Sequence, residues 1–219
     1  MPERKEARKF TFTVEGETEK WYLDWLGSQI NSHEKAKYKV AIVAKVQQNP
    51  SKFAKSQTAF ATPTITHICD MESSAPEHIK KFMHTIDQID KANKLGKKIK
   101  YSLGYSNFTF ELWISLHKTD CNAPLSHRSQ YLQYINRAFG ENFEDLDHYK
   151  KETNFKHCLS QLTLDDVKSA IAKARNIMEN NASDHSKKLV KYKDFAYYQD
   201  NPALNIWEAV GKILKECGV

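Results

Sequence analysis

The sequence predicts an α/β fold: a mostly parallel sheet of about four strands flanked by helices, followed by a helical C-terminal part. Three observations carry that prediction. Between residues 10 and 103, short runs rich in β-branched and aromatic residues alternate with stretches whose apolar residues recur at helical spacing. That order, β-α-β-α-β-α-β, closes into a parallel sheet through right-handed crossovers. Beyond residue 120 only the helical period persists. The 219 residues, 40% hydrophobic and 27% charged, suffice for a full core. We therefore expect an α/β core over residues 1–120 and a helical extension over 121–219, packed together as one unit.

The first strand is Phe10 to Val14 (FTFTV), followed by Glu15-Gly16-Glu17-Thr18-Glu19 and a helix marked by Trp21, Tyr22, Trp25, Leu26 and Ile30. A strand running straight into a helix places Glu15 at the strand's carboxyl end, where open α/β sheets build their sites. Gly16 lets a backbone or ligand approach closely. Two readings of Glu15, Glu17 and Glu19 stand at this point: site acids, or acids complementing the positive end of the helix dipole. Tyr38 to Ala44 (YKVAIVA) is a continuous apolar run, expected of a strand buried on both faces. Ser51, after Asn49-Pro50, is the expected cap of a short helix through about Phe60.

Thr64 to Cys69 is the third strand and ends at Asp70-Met71-Glu72, a second acidic pair at a strand end. Ser73-Ser74-Ala75-Pro76-Glu77 opens a helix with a serine cap and a proline in the first turn. Ile79, Phe82, Met83, Ile86 and Ile89 continue it to Gly96. Lys98 to Leu103 is the fourth strand. The apolar segment Ser106 to Trp113 then holds Asn107 and Glu111, with His117 close behind. Buried polar groups need partners, so these side chains bond one another or face a cleft; for His117 a satisfied core network is the expectation.

Helices are expected over Ser126 to Phe139, stopped by Gly140, and over Phe155 to Leu162. A longer amphipathic one is marked by Leu164, Val167, Ile171, Ala174 and Met178, and the last by Ile206, Trp207, Val210, Ile213 and Leu214. Residues 141–154 read as loop. Ser183 to Lys193 is basic and poorly patterned, either a solvated connection or a phosphate-contacting arm.

Composition excludes several classes. No run approaches the ~18 apolar residues of a membrane span, so no membrane partner is expected. The start, MPERKEARKF, lacks the apolar stretch of a secretory signal, and a cytoplasmic protein is expected. Four scattered cysteines without CxxC suggest neither a disulfide framework nor a zinc knuckle. Neither Gx4GK[ST] nor GxGxxG occurs, which disfavours ATP hydrolysis on this chain and dinucleotide binding. The net charge of +6 is compatible with a polyanionic partner.

Glu15 and the Asp70/Glu72 pair end two predicted parallel strands, so folding can bring them together. Clustered carboxylates repel unless a cation neutralises them, and hard oxygen donors suit Mg2+ or Mn2+. Such an ion polarises a phosphodiester and generates hydroxide from bound water.

The succession VEGETEKWYLDWL, ICDME, SNFTFELWISLH and NPALNIWEAV resembles the RloB family, a Toprim-like group, over about residues 8 to 215. The family pattern is an EGExTE element, an aspartate-x-aspartate strand end, an SNPxFELW segment and an NPST-like element. The resemblance implies a Toprim fold and a Mg2+-dependent nuclease of DNA or RNA in an antiphage, abortive-infection type of defence. It also implies an ABC-type ATPase partner. Carried over, Glu15, Asp70 and Glu72 are the catalytic and metal-holding residues, and Glu19, Asn107, Glu111 and His117 support them. Lys97, Lys98, Lys100, Lys187, Lys188 and Lys191 permit phosphate contact. Three departures stand out: Glu72 where aspartate is usual, Phe108 for proline, and Ala203-Leu204 for serine and threonine. The competing reading is a catalytically inactive regulatory or nucleic-acid-binding subunit.

Overall fold

A computed structural model describes residues 5–57, 64–96 and 98–219. Strand β1 (Ala7–Val14) enters helix α1 (Glu17–Ser32), and β2 (Lys39–Val46) enters α2 (Pro50–Ser56). Strand β3 (Thr64–Asp70) is followed by α3 (Pro76–Asn93), and β4 (Lys100–Asn107) by the short α4 (Glu111–Leu116). After a 3-10 turn at Arg128–Gln130 come α5 (Tyr131–Phe139), α6 (Leu146–Tyr149), α7 (Glu152–Ser160) and α8 (Leu164–Ser183). A hairpin of β5 (Leu189–Tyr192) and β6 (Phe195–Tyr198), the two-residue β7 (Ala203–Leu204) and α9 (Ile206–Cys217) complete the described chain.

The central sheet has the order β2-β1-β3-β4-β7. Its first four strands are mutually parallel and β7 is antiparallel to β4. Side chains alternate across the pleat, so each strand feeds two apolar layers. Phe12, Val14 and Ile68 face one layer with Leu23 and Leu26 of α1, Val167 of α8 and Val210 of α9. Ile65, Cys69, Tyr101 and Tyr105 face the other with Phe82 and Ile86 of α3 and Tyr197 of β6. Trp113 of α4, fully buried, joins the first layer and ties the α/β part to the helices that follow.

The predicted parallel α/β arrangement is present, and several local expectations are corrected. β2 is an edge strand, covered on one side by α1, and only Val40 and Ala44 are fully buried; its apolar run reflects strand propensity rather than burial on both faces. Asn49, not Ser51, caps α2 by accepting from the Lys52 amide at 2.9 Å. The helix stops at Ser56, and the expected extension toward Phe60 reaches outside the described residues. No serine caps α3: Ala75 occupies that position, while Ser73 Oγ accepts from the Ala75 amide. β4 runs on through Asn107 because β7 pairs with Ser106 and Asn107. Residues 141–154 contain α6, capped by Asp145, and not simply loop. The basic stretch after residue 183 forms β5, one arm of a hairpin whose Tyr192 hydroxyl donates to Asp87 of α3 at 2.9 Å. Among the described residues, no helix is long and apolar enough to cross a membrane.

Candidate functional site at the carboxyl ends of the parallel strands

Parallel register builds the site. Val14 pairs with Ile68 and Asp70 with Ser106, so β1, β3 and β4 end side by side. The residue after Val14 therefore lies against the end of β3, and Glu15 Oε2 accepts a hydrogen bond from the Asp70 amide at 3.1 Å. Beyond β4 the chain turns into α4 and delivers Thr109 and Glu111 to the same edge. Thr109 Oγ1 donates to Asp70 Oδ2 at 3.1 Å and also contacts Glu111 Oε2. The first turn of α1 adds Glu19, whose Oε2 accepts from the Thr18 hydroxyl at 3.1 Å. A Cβ at residue 16 would stand 3.0 Å from that same Glu19 oxygen, so any other residue there would press on the Glu19 carboxyl.

Four carboxyl groups, Glu15, Glu19, Asp70 and Glu111, thus share one edge. One cation sits among them: Lys150, the residue after α6, places Nζ 3.1 Å from Glu111 Oε1. A cleft of about 290 Å³ opens over the group and is lined by Glu15, Glu17, Glu19, Trp21, Asp70 and Lys150. A larger cavity of about 990 Å³ lies at the opposite ends of the strands, bordered by Lys9, Thr64, Lys100 and Glu208. It is remote from the acid cluster, so the smaller cleft is the chemically relevant one.

Electrostatics record the crowding. Burial pushes the Asp70 carboxyl well above its ordinary range, and the charges of Glu19, Glu111 and Glu15 add to the rise. Burial, then Glu111, pushes Glu19 up to about 7. Glu15 is also raised by burial, opposed by the Asp70 amide and by Lys81. Burial alone would pull the Lys150 ammonium down, but Glu111 and Asp70 hold it above its ordinary value. The Asp70 Oδ1 atom is shut away from solvent and has no hydrogen-bond partner. Buried carboxylate oxygens without donors are costly, and hard oxygens in excess of the local positive charge are the donor set a divalent ion requires. By that chemistry the residues fit Mg2+ or Mn2+. As the side chains stand, however, no three His, Cys, Asp or Glu among the described residues converge in a metal-holding group.

The other expected site residues go elsewhere. Glu72 lies near enough for its charge to be felt at Glu15, yet its carboxylate turns to a ring of cations. Lys81 bonds Oε1, while Arg128 and His78 stand 3.4 and 3.6 Å from Oε2. Burial raises the Glu72 carboxyl, and these three neighbours more than reverse it, leaving it below the usual range. Asn107 is buried and donates to the Tyr198 and Gln199 carbonyls at 3.2 and 2.8 Å, anchoring the hairpin to β4 rather than facing the cleft. His117 is also buried, bonded to the Tyr22 hydroxyl at 3.1 Å and the Trp113 carbonyl at 2.9 Å. Burial pulls its imidazole down to about 4. It is part of the packing between α1 and α4.

Lys98 and Lys100 lie at the start of β4, at the far end of the sheet from the acids. Lys97 is outside the described residues. Lys187 reaches the Asn201 carbonyl at 3.5 Å, and Lys188 and Lys191 are exposed along the hairpin. Sequence reasoning missed Thr109, Lys150, Lys81, His78 and Arg128. Thr109 had a signal, standing two residues before Glu111 in the segment already singled out. Lys150 had none: it belongs to a polar stretch without a pattern, and only the fold brings it to Glu111.

A parallel α/β sheet that gathers carboxylates at the carboxyl ends of its strands defines the class: an α/β protein with an acidic strand-end site. The family described as RloB-like protein matches residues 10–213, from β1 into α9, and the chain belongs to that family. No curated protein and no solved structure matches the chain.

Proposed function

We propose that this RloB-like protein is a metal-dependent phosphodiester hydrolase acting on nucleic acid, with Mg2+ or Mn2+ held by Glu15 and Asp70. The observation that supports this best is the Glu15 carboxylate bonded to the Asp70 backbone amide, which brings both residues to the edge of an open cleft, with a buried Asp70 side-chain oxygen left unpartnered. An ion bound there would supply an activated water and polarise the phosphate. The chain's own residues do the rest. Thr109 fixes the Asp70 carboxylate through Oδ2, while Oδ1 is buried without a hydrogen-bond partner. Lys150 offsets part of the accumulated negative charge, which otherwise repels a phosphodiester. Glu19, pushed up to about 7, is able to hold or release a proton at neutral pH.

We further propose that this activity serves an antiphage, abortive-infection type of defence under the control of an ABC-type ATPase partner, a reading that the family resemblance supports. The test is cleavage of a mixed pool of tRNA, single strands and duplex DNA, with and without the partner ATPase, in Mg2+ or Mn2+. Glu15→Gln and Asp70→Asn abolish cutting while keeping the wild-type circular dichroism; full activity in both variants refutes the assignment. One observation favours a second reading, a regulatory subunit without catalysis. Thr109 and Lys150 already partner Asp70 Oδ2 and Glu111, and no three-ligand group stands ready among the described residues. Phage protection without detectable cutting supports that reading.

A further inference from the structure

Glu72 holds an unusual place. It directly follows β3 and Met71, with φ of 62°, a left-handed conformation that side-chain-bearing residues rarely adopt. Its amide donates to the Phe108 carbonyl at 2.8 Å, so β4's exit loop clamps the turn. Two separate segments then bring three nitrogen-bearing side chains to its carboxylate: His78 and Lys81 from α3, and Arg128 from the turn before α5. His78 is itself oriented, its Nδ1 bonded to the Ser73 hydroxyl at 2.7 Å so that Nε2 points to Glu72.

Exposure runs opposite to what a simple surface ion pair shows. The Lys81 and Arg128 side chains are 61% and 48% exposed, while Glu72 beneath them is 18% exposed. Lys81 and Arg128 set two permanent positive charges against the single Glu72 carboxylate, so positive charge is in excess there. The group adjoins the acid cluster: Glu72 stands two residues beyond Asp70, and the charge of Lys81 is felt at both Glu15 and Asp70. An arginine fork beside a lysine is the donor set that recognises a phosphate, whereas a lone carboxylate leaves part of it unused.

We propose that Lys81, His78 and Arg128 form a subsite for a backbone phosphate of nucleic acid, adjoining Glu15 and Asp70, and that the Glu72 carboxylate fills this subsite until the substrate displaces it. Glu72 is then an internal anion that keeps the empty protein from binding phosphates indiscriminately. Exposed ion pairs are individually weak, so a polyanion that makes further contacts along its backbone outcompetes one side chain. This inference rests on nucleic acid being the ligand, as in the proposed function, but it requires neither metal nor cleavage.

The experiment is fluorescence anisotropy of a labelled single-stranded oligonucleotide with the full chain in EDTA, across a salt series. Glu72→Gln tightens binding by about three- to tenfold at low salt, because one like charge leaves the phosphate path. Glu72→Gly, which suits the positive φ, gives the same sign and serves if the first variant folds poorly. Lys81→Ala and Arg128→Ala each weaken binding and lower the slope of log K against log salt by about 0.7, the loss of one single-strand phosphate contact. Unchanged or weaker binding by both Glu72 variants overturns the proposal, as do wild-type affinity and slope in both cation variants. A mononucleotide or inorganic phosphate that competes as well as the oligonucleotide also overturns it, because the ligand is then a free phosphate. Cleavage assayed separately in Mg2+ distinguishes the two ideas. Tight, Glu72-gated binding without cutting leaves the subsite standing and removes the hydrolase; Glu15-dependent cutting with no effect of the ring does the reverse.

Discussion

Replacing Lys150 by methionine keeps the length of the side chain and removes the ammonium paired with Glu111 in the carboxyl cluster. Its Nζ lies 3.1 Å from Glu111 Oε1, and the Glu111 side chain has no exposure at all. Breaking a fully buried ion pair from one side typically costs about 3–5 kcal/mol, because the remaining charge is stranded. Here the lysine tail is 34% exposed, so solvent screens part of the interaction and the cost falls to about 2 kcal/mol. In a chain of this size that lowers Tm by about 4–8 °C. The loss is greatest at pH 8 and shrinks toward pH 5, where the Glu19 carboxyl, held up to about 7, takes up its proton and relieves the repulsion. Urea denaturation of Lys150→Met, Glu111→Gln and the double variant measures it. The double variant recovers most of the stability lost in Lys150→Met. A loss under about 0.5 kcal/mol, the size expected of an exposed surface pair, or no recovery in the double variant refutes the reasoning.

Three further outcomes are expected. Without divalent ion, the contribution of Glu19 to stability falls as pH rises from about 4.5 to 7: burial holds its carboxyl up to about 7, so the folded state binds more protons there than the unfolded one, while the buried imidazoles of His67 and His117, pulled down to about 3 and 4, act in the opposite sense. Thermal melts of wild type and Glu19→Gln in EDTA across that range check the sign, because their difference isolates the Glu19 carboxyl. Because bound metal requires deprotonated carboxylates, Mg2+ raises Tm more at pH 8 than at pH 5.5; an equal increment at both contradicts the linkage. Asn107→Ala leaves the Tyr198 and Gln199 carbonyls without their donor and costs about 1–3 kcal/mol, yet leaves divalent-ion binding unchanged. A variant of wild-type stability with impaired ion binding reverses that assignment.

Much of the fold was legible because its signals are local. Strand composition in Phe10–Val14 and Thr64–Cys69, the helical spacing of α3 and α8, and Gly140 ending α5 each fix an element from neighbours in the sequence. Parallel connectivity follows from their order, and it puts Glu15 and Asp70 at the same edge. What escaped depends on contacts across the chain. β7 is only two residues long and exists because Ser106 and Asn107 offer a free edge. The β5–β6 hairpin is basic and held by Tyr192 on Asp87, so its pattern resembles a solvated connection. Glu72 matched an aspartate at a strand end, but it stands in a turn of positive φ and its carboxylate is taken up by Lys81, His78 and Arg128, side chains that no local pattern announces. Asn107 and His117 were recognisable as polar residues needing partners; which partners they found, the hairpin carbonyls and Tyr22, depends on residues 91 and 95 positions away.

The central claim is that Glu15 and Asp70 form a divalent-ion site, and direct Mn2+ binding by electron paramagnetic resonance at pH 8 tests it without any substrate. Wild-type protein should take up Mn2+ in competition with Mg2+, and Glu15→Gln and Asp70→Asn should each weaken uptake by about tenfold or more. Wild-type affinity in both variants, or no binding by the wild type at millimolar Mn2+, contradicts the account.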